Sequence, residues 1–176
     1  MEQEIRKSAV LEVAKLMVIA ARTAPKGRGI DNLSIAIVDG EDMKRIAERM
    51  KKMHKEGRAG DFFVRDADNI LQSELVVLIG TKIEPVGLPH CGLCGFKDCD
   101  EKRKYPDVPC SFNTSDLGTA TGSAVAVAAD ARVDNRIMFT AGLAARELNL
   151  LGDEVKIIWG IPLSCAGKNI FFDRKK

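Results

Sequence analysis

The chain has 176 residues, 45% of them apolar and 30% charged, with a formal net charge of +2. That length suffices for one hydrophobic core, so a single domain over residues 1–176 is expected. The near-balance of charge gives no electrostatic reason to expect a nucleic-acid partner, and no apolar run approaches the ~20 residues of a membrane span. The charged opening MEQEIRKS lacks signal-peptide shape, which predicts a cytoplasmic protein with no membrane partner. A reducing compartment disfavours structural disulfides and favours thiolate–metal chemistry.

Residues 4–22 read as a helix, with Ile5, Val10, Val13, Leu16, Met17 and Ala20 near a 3.6-residue period. Pro25 and the glycines of ARTAPKGRG end it. Leu33–Gly40 is a short apolar run with β-branched residues, read as a buried strand. A second helix follows from Asp39 or Gly40 to about Lys55, with Met43, Ile46, Ala47 and Met50 on one face. Its acidic start and basic end suit the helix dipole. Lys44, Arg45, Arg49, Lys51, Lys52, Lys55 and Arg58 are interleaved with acidic residues, which describes a solvated face rather than an anion patch.

A loop and a short helix near 66–72 precede the clearest buried strand, Glu74–Lys82. The small-residue stretch after Cys110, including Gly118, Ala120, Gly122, Ser123, Ala124, Ala126, Ala128 and Ala129, reads as a helix capped by Thr114, Ser115 or Asp116. Small side chains there allow close approach to another helix, a subunit or a cofactor. A further helix is expected over Asn135–Leu148, a third buried strand in EVKIIWGIPLS, and a last short strand in KNIFFDRKK. Strands separated by helical pieces imply layered α/β architecture, and the helical connection between the first two strands predicts parallel or mixed pairing.

Four of the five cysteines fall in PHCGLCGFKDCDEKRKYPDVPC with the spacing C-x2-C-x4-C-x10-C: Cys91, Cys94, Cys99 and Cys110. The polar, proline- and glycine-broken surroundings make burial of four thiols as small hydrophobes hard to arrange. Gly92 and Gly95 allow the turns of a metal knuckle, and soft thiolates select zinc or iron–sulfur over hard cations. Four thiolates satisfy a tetrahedral zinc or a [4Fe-4S] cluster. The unpaired spacing of the last two cysteines favours the cluster; a zinc staple and redox-active free thiols are the alternatives. The charged excursion to Cys110 is expected as a surface loop. His90 reads as a turn residue and Cys165 as a separate core or loop thiol.

No dinucleotide fingerprint or P-loop is present. Lys26 and Arg28, among the glycines of PKGRG, could clamp a phosphate or form a solvated turn. Histidine is too scarce for a serine–histidine–acid arrangement.

Ala20, Ala21, Ala24 and Pro25, at a helix end leading into a strand, resemble the opening of nitroreductase-like flavoproteins. Gly160 and Pro162, after the late strand, resemble that fold's Gly-x-Pro, and the small-residue helix its central helix. The core CGLCGFKDC resembles a family of prokaryotic proteins described as containing a ferredoxin domain. The resemblance implies an α+β, nitroreductase-like mixed sheet flanked by helices, with a cysteine-rich segment over 85–112 inserted within it. It also implies a homodimer and an iron–sulfur site at Cys91, Cys94, Cys99 and Cys110. A flavin (FMN) near Arg22, Lys26 and Arg28, to which the cluster relays electrons, is a further expectation, although the FMN-phosphate residues of those flavoproteins have no clean match here. An electron-transfer role with a redox partner protein is the function expected. A zinc-stapled interaction protein and an FMN-dependent oxidoreductase with accessory cysteines are the alternatives.

Overall fold

The structure is a computed structural model and describes residues 1–172 of the chain. In chain order its elements are α1 Glu2–Thr23, β1 Leu33–Val38, α2 Gly40–Lys55, α3 Phe62–Leu71, β2 Leu75–Lys82, α4 Cys99–Arg103, α5 Ser111–Asp130, β3 Asp134–Asn135, α6 Phe139–Glu147 and β4 Val155–Ser164. The strands form one sheet in the order β1-β2-β4-β3.

Every pair in this sheet is antiparallel, which corrects the expected parallel or mixed pairing. The cause is that two helices, not one, join β1 to β2. The chain leaves β1, descends one helix and climbs the other, and re-enters the sheet where β1 finished, with Val38 opposite Val76. The α+β class stands, with helices on both faces.

The period of two along β2 sorts its side chains. Val76 and Leu78 face a core built with Ile46, Met50, Ile70, Ala141 and Ile158 under α2, α3 and α6. Leu75, Val77 and Ile79 face a second core built with Met17, Ala21, Leu117, Ala124, Ile161 and Leu163 under α1 and α5. Both faces of the central strands are therefore covered. α6 lies so close on β4 that a Cβ at Gly142 would fall 1.7 Å from the Ile158 carbonyl oxygen. Opposite it, a Cβ at Gly160 would fall 2.6 Å from Ala141 Cβ, so this contact is what the glycine of the Gly-x-Pro string is for.

Other boundaries move for local reasons. α3 extends earlier than the expected 66–72 because Phe63, Ala67 and Ile70 together bury one face. α5 begins at Ser111 with Cys110 as N-cap, not at Thr114–Asp116. The side chains read as caps are used elsewhere: Thr114 Oγ1 donates to Ser111 O at 2.9 Å, and Asp116 accepts from Gly27. The helix expected from Asn135 starts only at Phe139, because residues 134–138 bond to β4 through Asn135–Leu163 and the Met138–Gly160 bridge. The tail strand is not formed by residues 168–172, and the rest of that segment lies outside the described residues.

Candidate functional site at the end of the sheet

Antiparallel pairing places two distant pieces of chain together. β1 begins at Leu33 opposite Thr81, next to the end of β2, and Lys82 N–H donates to Asn32 O at 3.1 Å. The PKGRG turn before β1 and the cysteine segment after β2 therefore emerge side by side. The first turns of α5 join them.

Three polar fastenings hold this assembly. Asn113, buried in α5, pairs its amide with the Glu84 backbone in both directions, each at 2.9 Å. Gly27 N–H donates to Asp116 Oδ1 at 3.0 Å, and the Phe112 ring lies where a Cβ on Gly27 would be. Arg28 Nη1 donates to the carbonyls of Val86 at 2.7 Å and Gly87 at 3.0 Å. Arg28 holds a left-handed φ of 56°, unfavourable for a side chain with a Cβ, so this reach is maintained against backbone preference.

The three cations expected near a flavin do not converge as one cluster. Lys26 has a buried side chain, and its ammonium donates to the carbonyls of Ala21, Arg22 and Ala24, closing the C-terminus of α1. Arg22 Nη1 donates to Asp31 Oδ2 at 2.7 Å and to Leu33 O at 3.1 Å. Burial raises the Asp31 pKa, but the Arg22 hydrogen bond, the Leu33 N–H and the charges of Arg22 and Lys26 outweigh it and hold the carboxyl below its ordinary value. Arg28 alone turns to the cysteine segment, and it forms no carboxylate ion pair among the described residues.

All five cysteines are free thiols. Cys91 and Cys94 lie half-buried in a turn closed by Gly95 N–H to Gly92 O at 2.9 Å, with Gly92 and Gly95 at φ of 62° and 87°. Cys99 opens α4, its Sγ 3.9 Å from Leu88 O. Cys110 is only 5% exposed, at the N-terminus of the 20-residue α5, where the unpaired N–H groups favour negative charge. By donor chemistry the set fits a thiolate-held centre. In the conformation shown, no three His, Cys, Asp or Glu side chains among the described residues are gathered so as to hold a metal ion. His90, at φ 55°, is a turn residue, as read from sequence. Cys165 lies apart, its carbonyl accepting from Arg6 Nη1 at 2.7 Å.

The excursion from Cys99 to Cys110 is not the plain surface loop expected. Asp98 caps α4 by accepting from Glu101 N–H at 2.8 Å, which is the first cause holding its carboxyl below the ordinary value. Glu101 Oε2 in turn accepts from Lys97 N–H at 2.7 Å, a variant of the capping box. Phe96 and Tyr105 stack across the excursion with centroids 5.1 Å apart. Lys102, within α4, is 1% exposed. The string DxxE before KRK carried the cap; nothing in it signalled a buried lysine.

The family described as uncharacterized protein containing a ferredoxin domain matches residues 106–174. A protein of Archaeoglobus fulgidus, itself described as uncharacterized, is 39% identical over 98% of this chain and 96% of its own length. This chain belongs to the ferredoxin-domain family. The match covers Cys110 and the chain from α5 to β4, and begins after the other three clustered cysteines. Among solved structures, a nitroreductase family protein of Clostridium novyi NT is similar with a TM-score of 0.61, 14% identity, and coverage of 92% of this chain and 74% of that one. A BluB-like flavoprotein of Clostridium difficile 630 gives 0.59 and 19%, covering 94% and 84%. A nitroreductase with bound FMN from Desulfitobacterium hafniense DCB-2 gives 0.57 and 13%, covering 89% and 78%. The fold is thus nitroreductase-like, and a redox role fits both likenesses. No helix among the described residues is long and apolar enough to cross a membrane.

Proposed function

We propose that this member of the ferredoxin-domain family is a cytoplasmic iron–sulfur redox protein whose Cys91, Cys94, Cys99 and Cys110 hold a [4Fe-4S] cluster. The observation that carries the reading is four free thiols in one segment fastened at both ends to a nitroreductase-like frame. When bound, the cluster would accept and release one electron. The chain's part is to present the thiolates, to offer to sulfur the N–H groups of the Gly92–Gly95 turn other than that of Gly95, which closes it, and to place Cys110 at the α5 N-terminus. Because the sulfurs are not already gathered, loading requires the Cys91–Cys99 stretch to close toward Cys110, while Asn113 and Arg28 keep its base on the frame.

The test is anaerobic purification and reconstitution with iron and sulfide, followed by metal analysis and a visible spectrum. Iron and sulfide in stoichiometric amounts, sharply reduced in Cys94→Ser, are expected. Zinc in their place would support a metal-stapled interaction protein and overturn the redox reading.

A flavin is the second reading, favoured by the fold shared with FMN-bearing structures. It would bind at the Arg22–Lys26–Arg28 turn, with Arg28, which has no carboxylate partner among the described residues, meeting a phosphate through the guanidinium edge not turned to Val86 and Gly87, and Arg22 and Lys26 holding the turn's shape. Flavin released on denaturation, and lost in Arg28→Gln, checks it. A homodimer belongs to the same proposal. Leu16 and Ile19 of α1 are 54% and 58% exposed, and Gly118, Gly122, Ala126 and Ala129 line an exposed face of the adjoining α5. Sedimentation equilibrium giving a monomer would remove it. A partner protein exchanging electrons with the cysteine segment completes the proposal.

A further inference from the structure

α4 carries a charge that no carboxylate neutralises. Lys102 is 1% exposed and heads the fully buried side chains by size. Lysine is almost never buried unless paired, since its ammonium loses hydration there. Among the described residues Lys102 forms no ion pair, and no hydrogen bond from its ammonium to a described residue is present. The acidic groups nearest in the chain are engaged elsewhere. Asp98 caps α4, Glu101 accepts from Lys97 N–H, and Asp100 pairs with Arg103.

The surroundings add positive charge. A Cβ on Gly87 would lie 3.0 Å from Arg28 Nη1 and 4.0 Å from Arg103 Nη2, so two guanidiniums flank that residue. The next residue, Leu88, receives the Cys99 thiol. Cys99 and Lys102 are three apart on α4, the spacing that puts side chains on neighbouring positions of one helix face. Of the groups of this segment that can take on negative charge, Asp98, Asp100 and Glu101 are engaged as above, Tyr105 and Asp107 are exposed to solvent, and the cysteine thiols remain.

We infer that Lys102 is the buried counter-charge of the cysteine-held centre, a positioning residue that favours the more negative, reduced state of that centre. Arg28 and Arg103 assist from the rim. The inference rests on the iron–sulfur reading above and adds to it a residue outside the thiol quartet. A fixed positive charge in a poorly hydrated site stabilises the reduced form more than the oxidised one, so removing it displaces the reduction equilibrium toward oxidised.

The experiment uses the full chain reconstituted with iron and sulfide, as wild type, Lys102→Met, Lys102→Arg and Lys102→Glu. Iron and sulfide per chain, the midpoint potential and the thermal unfolding curve are measured for each. K102M is expected to load as wild type does, with its reduction equilibrium shifted on the order of tenfold toward oxidised, about 59 mV for one electron. K102R is expected to stay near wild type, and K102E to lose most of its iron. A loaded K102M with the wild-type potential would overturn the inference and make Lys102 a packing residue only. A K102E that folds and retains iron at the wild-type potential would overturn it equally, even where K102M fails to fold. Wild-type protein that takes up neither iron nor sulfide overturns the metal-centre reading and this inference with it, an outcome distinct from loaded variants of unchanged potential.

Discussion

β2 and the chain that leaves it are consecutive in sequence and opposite in construction. Leu75–Thr81 is buried at every position and bonded to a strand on each side. Residues 83–110 bury few side chains, pass through left-handed turns at Gly87, His90, Gly92 and Gly95, and are held by separate polar contacts. In the first region the burial of apolar area on two faces fixes the shape, and any one contact is a small share of the whole. In the second a handful of hydrogen bonds fixes it, each worth about 1–3 kcal/mol when buried or charge-assisted. The frame is thus rigid by redundancy, and the cysteine segment is adjustable between its fastenings. That is the division of labour expected where a loop must close around a ligand on a scaffold that does not move.

Substitutions can break this contrast. The largest effect is expected within the frame, where Gly142→Ala drives a methyl into the Ile158 carbonyl. A loss of about 3 kcal/mol or more in urea unfolding is predicted, because backbone rather than a yielding side chain meets the new atom. Asn113→Ala removes both bonds to Glu84 and leaves its N–H and C=O without their partners. About 2–3 kcal/mol is predicted from the same measurement, together with weaker iron retention.

Asp31→Asn comes next, at about 1–2 kcal/mol near neutral pH, since it removes a charged partner of Arg22 at a partly exposed site. Its pH dependence has a definite sign. The folded Asp31 carboxyl titrates below its ordinary value, so its contribution is present above the unfolded value of about 4 and is lost as pH falls through the lowered folded value. The stability gap between wild type and D31N should therefore narrow on acidification below about pH 4, and a constant gap would show that the Arg22–Asp31 pair is not the cause. The smallest effect on the frame is expected for metal-free Cys94→Ser, within about 0.5 kcal/mol of metal-free wild type. A substantial loss there would mean that the segment is structural in its own right.

The residues differ in how much they disclose by themselves. The period-two burial of LVVLIGTK and the 3.6-residue spacing of Met43, Ile46, Ala47 and Met50 were legible because each element's pattern reports its own buried face. The four-thiol spacing stood out because few other environments explain it, but the conformation shown does not gather the thiols. Lys26 was ambiguous: a lysine in a glycine-rich turn reads equally as a phosphate clamp or a solvated turn residue, and its ammonium is taken up by the carbonyls at the end of α1. Lys102 was invisible, since nothing in DEKRK distinguishes a lysine turned inward from its neighbours in water.

Local pattern and side-chain chemistry, both carried residue by residue, were enough to find the longer helices, the three buried strands and the four candidate ligands, and the resemblance of short motifs pointed to a nitroreductase-like fold; the short α4 was missed. Strand direction was beyond their reach, because it depends on how many helices return the chain between β1 and β2 and at which end of the sheet it arrives. That choice brings the PKGRG turn, the cysteine segment and the start of α5 to one end of the sheet, and with them Arg28 to Gly87 and Asn113 to Glu84. Contacts such as that of Gly27 with Asp116, 89 positions apart, are set by the packing of whole elements, and only the folded chain makes them.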